Sequence, residues 1–286
     1  MNEIIEYKAE NIAYGLSVPW NTLSSLTQHK NILKQISYVQ IYKIPSEQQE
    51  KNQLLLTIAG LRKIYQISFS IHVSPRVNLA EKVDAIRAYW ISECKEYLLY
   101  AHEINASFVN LHLGYGIGSR KYRKHALATA ADSLNELSAT LDAIGSPCNI
   151  HIENIYKLPR EADFFYLGDR TSDFNAIFRD ANNRVHLCFD YGHANLDELG
   201  FDILTNHKDR VGSLHLHDNN QQTDQHNHVA HHQGTINWND QFMYLVQERI
   251  QVPMIFEGVF KSQLRSIHAV KKIYEEAVVR RFMSNA

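Results

Sequence analysis

The sequence lacks the features of a membrane protein and of a disulfide-stabilised secreted protein. No apolar run approaches the roughly 20 residues that a membrane span requires, and no basic segment followed by an apolar stretch opens the chain. The 286 residues include only three cysteines, and their odd number and wide separation favour buried thiols in a reducing compartment. We therefore expect a cytoplasmic protein with no membrane partner.

An excess of charge of one sign is absent as well. Lysine and arginine number 29 against 31 aspartate and glutamate residues, which gives a formal net charge of −2. This balance indicates no broad basic surface, although it does not exclude a DNA partner. The chain also lacks a low-complexity linker, so we expect residues 1–286 to form a single domain, with a hydrophobic content of 44% to fill its core.

The sequence does contain a regular alternation of short β-type runs with longer segments of helical periodicity. The runs are residues 11–17, 38–43, 65–73, 107–114, 148–154, 184–194, 210–219 and 252–258. A helix follows each run, and the first is expected to start at Asn21 and to extend to about residue 35. Eight such units predict an α/β fold, a single (β/α)8 TIM barrel. An open doubly wound sheet is disfavoured because no glycine-rich phosphate loop follows the first run.

Potential metal ligands stand at the ends of six successive runs. In TIM barrels the active site lies at the carboxyl ends of the strands. On the third to eighth runs this position holds His72, His112, Glu153, Asp190, His215 and Glu257. The loops after the sixth and seventh runs add His193, His226 and His228. Imidazole and carboxylate ligands without a thiolate suit zinc, manganese, iron and cobalt.

Each of these residues also has an ordinary structural interpretation. A histidine at a strand end is often only hydrogen bonded, and Asp190 is placed to cap the following helix with His193 as its partner. Glu153 and Glu257 could be polar exits from buried strands, and a solvated loop would account for His226, His228, His231 and His232. Because these residue types are a minority of the sequence, their presence at six successive strand ends favours a common site.

These motifs resemble the endonuclease IV branch (AP endonuclease family 2) of the xylose isomerase-like TIM barrels, over nearly the whole chain. Residues 72–80, HVSPRVNLA, are similar to the HxSxxxNLA of its third strand. The other strand-end matches are HLG at 112–114 to H-P-G, Glu153-Asn154 to E-N, Asp190 to Ala194 to D-x-x-H-A, HLHD at 215–218 to H-L-N-D, and the final Glu257. The D-x-H of that branch is placed on residues 226–228, six residues before Gly234, so that His226 stands where the family has aspartate.

The resemblance implies up to three zinc ions, with Mn2+ or Fe2+ as alternatives. Its ligand sets are His72, His112 and Glu153 for the first ion, Glu153, Asp190, His215 and Glu257 for the second, and His193, His226 and His228 for the third. Glu153 would bridge two ions. His217 faces inward like His215 and is the rival ligand on that strand. A histidine in place of aspartate at position 226 would remove a negative charge from the third site.

A centre of this kind suits phosphoester hydrolysis, because cations about 4 Å apart can activate water and neutralise charge on a phosphoryl group. We expect a metal-dependent phosphoesterase resembling endonuclease IV, an apurinic/apyrimidinic endonuclease of DNA repair, with Glu153 and Glu257 at the reacting centre. Its partner would be a phosphoester substrate, with damaged DNA among the candidates. Two loops depart from the DNA-binding members of that branch. Pro75 occupies the place of their bulky inserted side chain, and the loop IYKLPREADFF lacks the usual glycines and glutamine.

Several residues and functions therefore stay open at this stage. Basic side chains near the expected site could contact phosphates or be solvated charges at helix starts, namely Arg76, Arg120, Lys121, Arg123 and Lys124. A sugar isomerase or epimerase is the second hypothesis. In it a single metal on Glu153, Asp190, His215 and Glu257 would hold a small ketose, and the two glutamates would exchange protons with it. A non-catalytic binding barrel is a third hypothesis.

Overall fold

The computed structural model describes residues 12–159 and 161–284, and within them parallel strands close into a barrel. The strands are Tyr14–Pro19, Tyr38–Tyr42, Ser68–His72, Phe108–His112, Asn149–Glu153, Val185–Asp190, Val211–Leu216 and Met254–Phe256. Each strand pairs with its neighbours in the sequence, and the last pairs with the first. The closed order confirms the (β/α)8 barrel and excludes the open sheet. The start of the first expected run, Asn11, lies outside the described residues.

Helices surround the barrel. The α-helices are Leu23–Leu26, Lys30–Leu33, Gln48–Tyr65, Asp84–Glu103, Arg123–Ala143, Thr171–Asp180, Tyr191–Asn195, Asp202–Asn206, Trp238–Gln247 and Phe260–Ser284. Short 3-10 turns occur at Trp20–Thr22, Arg120–Tyr122 and Lys208–Arg210. Among the described residues, no helix combines the length and the apolarity needed to cross a membrane.

The first helical segment differs from the expected helix over residues 21–35, because it consists of short pieces with a break near Thr27. The Thr27 hydroxyl donates to the Ser24 carbonyl at 2.7 Å, and the Ser25 hydroxyl donates to the Thr22 carbonyl at 2.6 Å. Serine and threonine side chains that bond to nearby carbonyls compete with the regular helical pattern. The serine and threonine content of this segment therefore ends the helix early.

The barrel wall has an apolar outer face and a largely polar inner face. Val39 and Phe69 are fully buried outer-face residues of the apolar core beneath the helices. Residues that alternate with the outer-face residues along each strand point into the barrel. Several of these are polar and fully buried, such as Gln40, Ser70 and Asn110. The three cysteines are also buried and free, as the sequence predicted. A polar interior beneath the strand ends can support a polar site above it.

A two-stranded antiparallel ribbon is added at the carboxyl ends of the strands, where the sequence indicated only loops. Its strands are Tyr115–Ile117, which follows the fourth barrel strand, and Phe164–Tyr166, which lies in the long loop after the fifth. We call this pair the mouth ribbon. Gly114 directly precedes the first strand of the ribbon and has a φ of +98°. A Cβ at this position would lie 2.2 Å from the Asn78 side chain. Glycine is therefore required where the chain leaves the barrel.

Candidate metal centre

Strand register brings the predicted ligands to one end of the barrel. His112 pairs with Glu153, and Asp190 pairs with His215, on adjacent parallel strands. Glu257 directly follows the eighth strand. Because all the barrel strands are parallel, their carboxyl ends open onto the same face.

Glu153 lies at the centre of the cluster and is only 1% exposed. Its Oε2 atom lies 3.1 Å from His72 Nε2, 3.2 Å from His215 Nδ1 and 3.8 Å from His112 Nε2. Its Oε1 atom lies 3.3 Å from His193 Nδ1. One carboxylate thus faces histidines from four parts of the chain, which is the environment expected of a bridging ligand.

A second group adjoins Glu153 and contains Asp190, His215 and Glu257. His215 Nδ1 lies 3.1 Å from Glu257 Oε1 and 3.9 Å from Asp190 Oδ2. His215 and Asp190 are fully buried, whereas Glu257 is 9% exposed. The potential ligand atoms of these three residues all lie within 4.8 Å of one another, so one ion could contact all of them.

A third group contains His193, His226 and a residue that sequence reasoning did not select, Asp224. Asp224 Oδ2 lies 3.6 Å from His193 Nε2, and Asp224 Oδ1 lies 3.6 Å from His226 Nε2. The D-x-H pattern is thus present without substitution at residues 224–226. A search by pattern alone would have found it, but alignment on the distance to Gly234 shifted the match by two residues.

His228 is not brought into this cluster. Its Nδ1 atom donates to the Val229 carbonyl at 3.0 Å, and its ring lies 4.8 Å from the ring of His231. Among the described residues, it belongs to none of the groups whose ligand atoms lie close enough to share an ion, and neither does His112, although His112 Nε2 lies 3.8 Å from Glu153 Oε2. The other sequence-selected residues form one connected set, because His226 Nδ1 lies 3.4 Å from Glu257 Oε2.

His217 faces the interior as well, but on the other side of Asp190 from His215. Its Nε2 atom lies 3.1 Å from Asp190 Oδ1, and its ring stacks on that of His226 at 3.9 Å with a 3° interplanar angle. It therefore belongs to the third group, whereas His215 belongs to the second. A Cβ at Gly192 would lie 1.9 Å from the His217 ring, so this glycine makes room for the imidazole.

Backbone carbonyls fix the orientation of several imidazoles. The Nδ1 atoms of His72, His193 and His217 donate to the carbonyls of Val73 at 2.7 Å, Asn154 at 2.9 Å and Gln225 at 3.1 Å. Since a carbonyl only accepts, Nδ1 carries a proton, and Nε2 is the ring nitrogen left to ligate a metal. This is the arrangement in which histidines ligate metals, with the second ring nitrogen held by an acceptor.

Hydrogen bonds also fix the carboxylates of the cluster. Asp190 Oδ1 accepts from the His193 backbone N–H at 2.7 Å, so Asp190 caps the helix Tyr191–Asn195 while Oδ2 stays available. Asn154 exchanges two hydrogen bonds with the backbone of Asp190, at 2.9 and 2.6 Å. Asn110 donates from Nδ2 to Glu153 Oε2. The capping interpretation of Asp190 is therefore compatible with a ligand role.

Several buried polar atoms in the cluster make no hydrogen bond of suitable geometry within the described part of the chain, although His215 Nδ1 and His217 Nε2 lie 3.1 Å from carboxylate oxygens. They are Asp190 Oδ2, His217 Nε2 and both ring nitrogens of His215. Leaving such atoms unpaired in the interior costs free energy, about 1–3 kcal/mol for each group. All are good ligands for a divalent cation. The residues present therefore fit bound metal.

Burial and charge act against each other in the cluster. Burial alone would raise the pKa of Glu153, but nearby His215 and His112 hold the pKa of this carboxyl group well below its usual range. For His112, burial is the largest effect and lowers its pKa to about 4. Glu153 is therefore an anion and His112 a neutral imidazole near neutral pH, the forms in which both bind metal.

The sequence of this barrel is matched by the model of a known family. Residues 38–278 match the family model described as the xylose isomerase-like TIM barrel. The chain belongs to this family. An uncharacterized protein of Methanocaldococcus jannaschii is 26% identical over 214 residues, which cover 74% of this chain and 72% of that protein.

Solved structures of proteins with different names have the same fold. A D-tagatose 3-epimerase-like protein superposes with a TM-score of 0.78 at 20% identity, over 95% of this chain and 100% of that one. Endonuclease IV from Thermus thermophilus superposes with a TM-score of 0.66 at 17% identity, over 92% and 99% of the two chains. At these identities the likeness establishes the fold alone.

The basic residues considered for phosphate contacts differ in their surroundings in this xylose isomerase-like barrel. Arg123 forms ion pairs with Asp169 and Asp173, and its guanidinium lies 5.3 Å above the Phe165 ring. It therefore has a structural role beneath the mouth ribbon. Arg76, Lys121 and Lys124 are exposed, and the side chain of Arg120 lies outside the described part of the structure.

Proposed function

We propose that this protein is a metal-dependent phosphoesterase, resembling endonuclease IV, that hydrolyses a phosphodiester with a multinuclear centre. The observation that carries this proposal is the presence of three adjoining ligand groups that share residues. His215 belongs both to the first group, which contains His72, Glu153 and His215, and to the second, and Glu257 contacts both His215 and His226, which links the second group to the third. A single-metal enzyme needs only the second group together with Glu153.

Bound divalent cations would polarise the phosphoryl oxygens and supply a nucleophile at neutral pH. We assign up to three ions, with zinc favoured by the histidine and carboxylate ligands and Mn2+ or Fe2+ as alternatives. The first is assigned to His72, His112 and Glu153, and the second to Glu153, Asp190, His215 and Glu257. The third is assigned to His193, Asp224 and His226, with His217 beside them.

The residues of the chain would hold the substrate in place and stabilise the charge that develops on it. Glu153 is buried and surrounded by histidines, so it serves chiefly as a ligand. Glu257 is the more accessible carboxylate of the pair and lies between two ligand groups, where it can orient an attacking water. The imidazoles of the third group lie where they can contact a leaving oxygen.

A sugar isomerase or epimerase is the second candidate, and the compactness of the second group favours it. Asp190, His215 and Glu257 lie within ligand distance of a single point, and Glu153 contacts the same His215 ring. Two glutamates that face one ion from different strands could exchange protons with a ketose. In this case the first and third groups would contact the sugar instead of metal.

Metal content separates the two candidates. Protein purified without chelator and without affinity-tag histidines should contain two to three equivalents of zinc, manganese or iron per chain, measured by elemental analysis. It should also hydrolyse a small phosphodiester or abasic DNA. A single equivalent that does not rise with excess metal would contradict the phosphoesterase proposal and favour the isomerase, which a panel of ketoses would then test.

Glu153→Gln tests the bridging carboxylate. The substitution keeps the shape of the side chain and removes its charge, so we expect phosphodiester hydrolysis to fall by at least about 100-fold with a loss of bound metal. Glu136→Gln is the matched control, because Glu136 is an exposed carboxylate on the helix Arg123–Ala143. Undiminished turnover by Glu153→Gln would show that this residue is not at the reacting centre.

A further inference from the structure

A continuous row of aromatic rings leads from the third ligand group to the mouth ribbon. The ring of His193 lies 5.7 Å from that of Tyr156, which lies 5.8 Å from Tyr166. Tyr166 lies 5.6 Å from Phe164, and Phe164 lies 5.8 Å from Tyr115. The row therefore begins at a candidate ligand and continues outward along the ribbon.

The strand pairing of the ribbon places four large side chains on a single face. Tyr115 is directly opposite Tyr166, and Ile117 is directly opposite Phe164, so all four share one face. The opposite face carries Gly116 and Phe165. A Cβ at Gly116 would lie 2.4 Å from the Phe165 ring, and Phe165 is 1% exposed. One face therefore anchors the ribbon, while the other presents aromatic and aliphatic side chains.

The outward face is accessible although it is apolar. Ile117 is 70% exposed and Phe164 is 38% exposed. Side chains of this kind in a small ribbon gain nothing from contact with water, and contiguous exposed apolar surfaces commonly mark binding sites. The face is also continuous with the candidate metal centre through Tyr156, so a molecule bound at the centre would extend along it.

We propose that the mouth ribbon is a stacking platform for an unpaired nucleobase of the substrate, next to the phosphate at the metal centre. This inference rests on the proposed phosphodiester hydrolysis and names the class of its substrate. Every base has a planar π-face that stacks on aromatic side chains, whatever the sequence. Ile117 and Phe164 offer no hydrogen bonds to a sugar. Bases within a duplex are already stacked on their neighbours, so only a nucleotide or a single strand can use the platform.

Paired phosphate ligands test the platform by direct binding. Adenosine 5′-monophosphate and ribose 5-phosphate share the phosphate and the sugar, and they differ by the base. Isothermal titration of the metal-loaded protein should show about tenfold tighter binding of adenosine 5′-monophosphate. Phe164→Ala should reduce this ratio to about threefold or less without changing the affinity for ribose 5-phosphate. Phe164→Trp should preserve the ratio, because the indole ring also stacks.

Leu56→Ala is the matched control, since Leu56 is 69% exposed on the outer helix Gln48–Tyr65. Equal affinity of the wild-type protein for the two ligands would overturn the inference. So would a ratio unchanged in both Phe164→Ala and Tyr166→Ala, or a change of oligomeric state in Phe164→Ala, which would assign the face to a second copy of the chain.

Hydrolysis of a phosphodiester without any ring, such as dimethyl phosphate, reports on the proposed function separately, because it does not involve the platform. If the protein hydrolyses dimethyl phosphate but binds adenosine 5′-monophosphate and ribose 5-phosphate equally, only the stacking platform is refuted. Base-dependent binding without turnover of this compound or of abasic DNA refutes only the phosphoesterase. A short thymidine strand titrated against thymidine 5′-monophosphate then identifies the source of the base, since tighter binding of the strand assigns single-stranded nucleic acid.

Discussion

At the scale of single residues, the D-x-H pattern in the loop after the seventh strand lies at residues 224–226, two positions before the place that the distance to Gly234 indicates. The loop after the seventh strand contains histidines at 226, 228, 231 and 232, but only His226 has an aspartate two positions before it. The backbone groups of Asp218 and Asn227 exchange hydrogen bonds of 3.0 Å each. This bridge closes residues 218–227 into a loop. The loop contains Asp224, whose carboxylate lies near His193.

Paired substitutions distinguish the two readings of this loop. Asp224→Ala removes the carboxylate between His193 and His226, so we expect the loss of about one equivalent of metal per chain and a fall in hydrolysis of at least tenfold. His228→Ala removes a ring outside the cluster, so this variant should retain both the metal content and the hydrolysis rate of the wild type. Elemental analysis and turnover of the two variants provide the measurement. Loss of metal in His228→Ala alone would restore that residue as the ligand.

At the scale of elements, the strands and their ends were predictable, whereas the ribbon was not. Alternation of buried and polar residues and the turn signals between runs are local features, and they located every barrel strand. The ribbon strands Tyr115–Ile117 and Phe164–Tyr166 are short and pair across about 50 intervening positions, so no local period marks them. They form because Asn78, from the third-strand motif, holds the first of them.

Asn78 is therefore expected to stabilise the ribbon. Its Oδ1 atom accepts from the backbone N–H groups of Tyr115 at 2.9 Å and Ala80 at 3.2 Å, and the side chain is 1% exposed. Asn78→Ala leaves buried donors unpaired, so the free energy of unfolding should fall by about 1–3 kcal/mol in urea titration. Asn31→Ala, at an exposed position, should change it by less than about 0.5 kcal/mol. An equal effect in the two variants would contradict this role.

At the scale of the whole molecule, the polar barrel interior affects how stability depends on pH. His151 lies inside the barrel, with Nδ1 2.8 Å from Ser213 Oγ and its ring stacked 4.1 Å from Phe108. Burial, with further contributions from His186 and His215, lowers the pKa of His151 well below its usual value. The folded protein therefore excludes a proton that the unfolded chain binds below about pH 6.5.

The sign of this effect follows from the lowered pKa. The contribution of His151 to stability is present above about pH 6.5 and is lost as the pH falls, by up to about 1.4 kcal/mol per pH unit. His151→Gln should be less stable than the wild type at pH 8, and the difference should narrow by about 1 kcal/mol at pH 5.5. Urea unfolding at the two pH values measures this. For the control variant His102→Gln, at an exposed site, the difference in the free energy of unfolding from the wild type should be the same at both pH values.

The sequence by itself determined the barrel and most of the candidate centre. Eight units of alternating pattern are local information, and a parallel barrel places every strand end on one face, so the convergence of His72, Glu153, Asp190 and Glu257 followed from their positions in the chain. The free, buried cysteines followed from their odd number, their wide separation and the apolar runs that contain two of them.

Only the tertiary structure decided which loop residues join the centre and which surface adjoins it. Asp224 and His228 lie four positions apart in one loop, and Asp224 lies between the bridged residues Asp218 and Asn227 whereas His228 follows them. His215 and His217 both point inward, and the packing of His217 against Gly192 and His226 assigns them to different groups. Loop paths and ring packing depend on contacts between residues distant in sequence, for which a single sequence has no periodic signal.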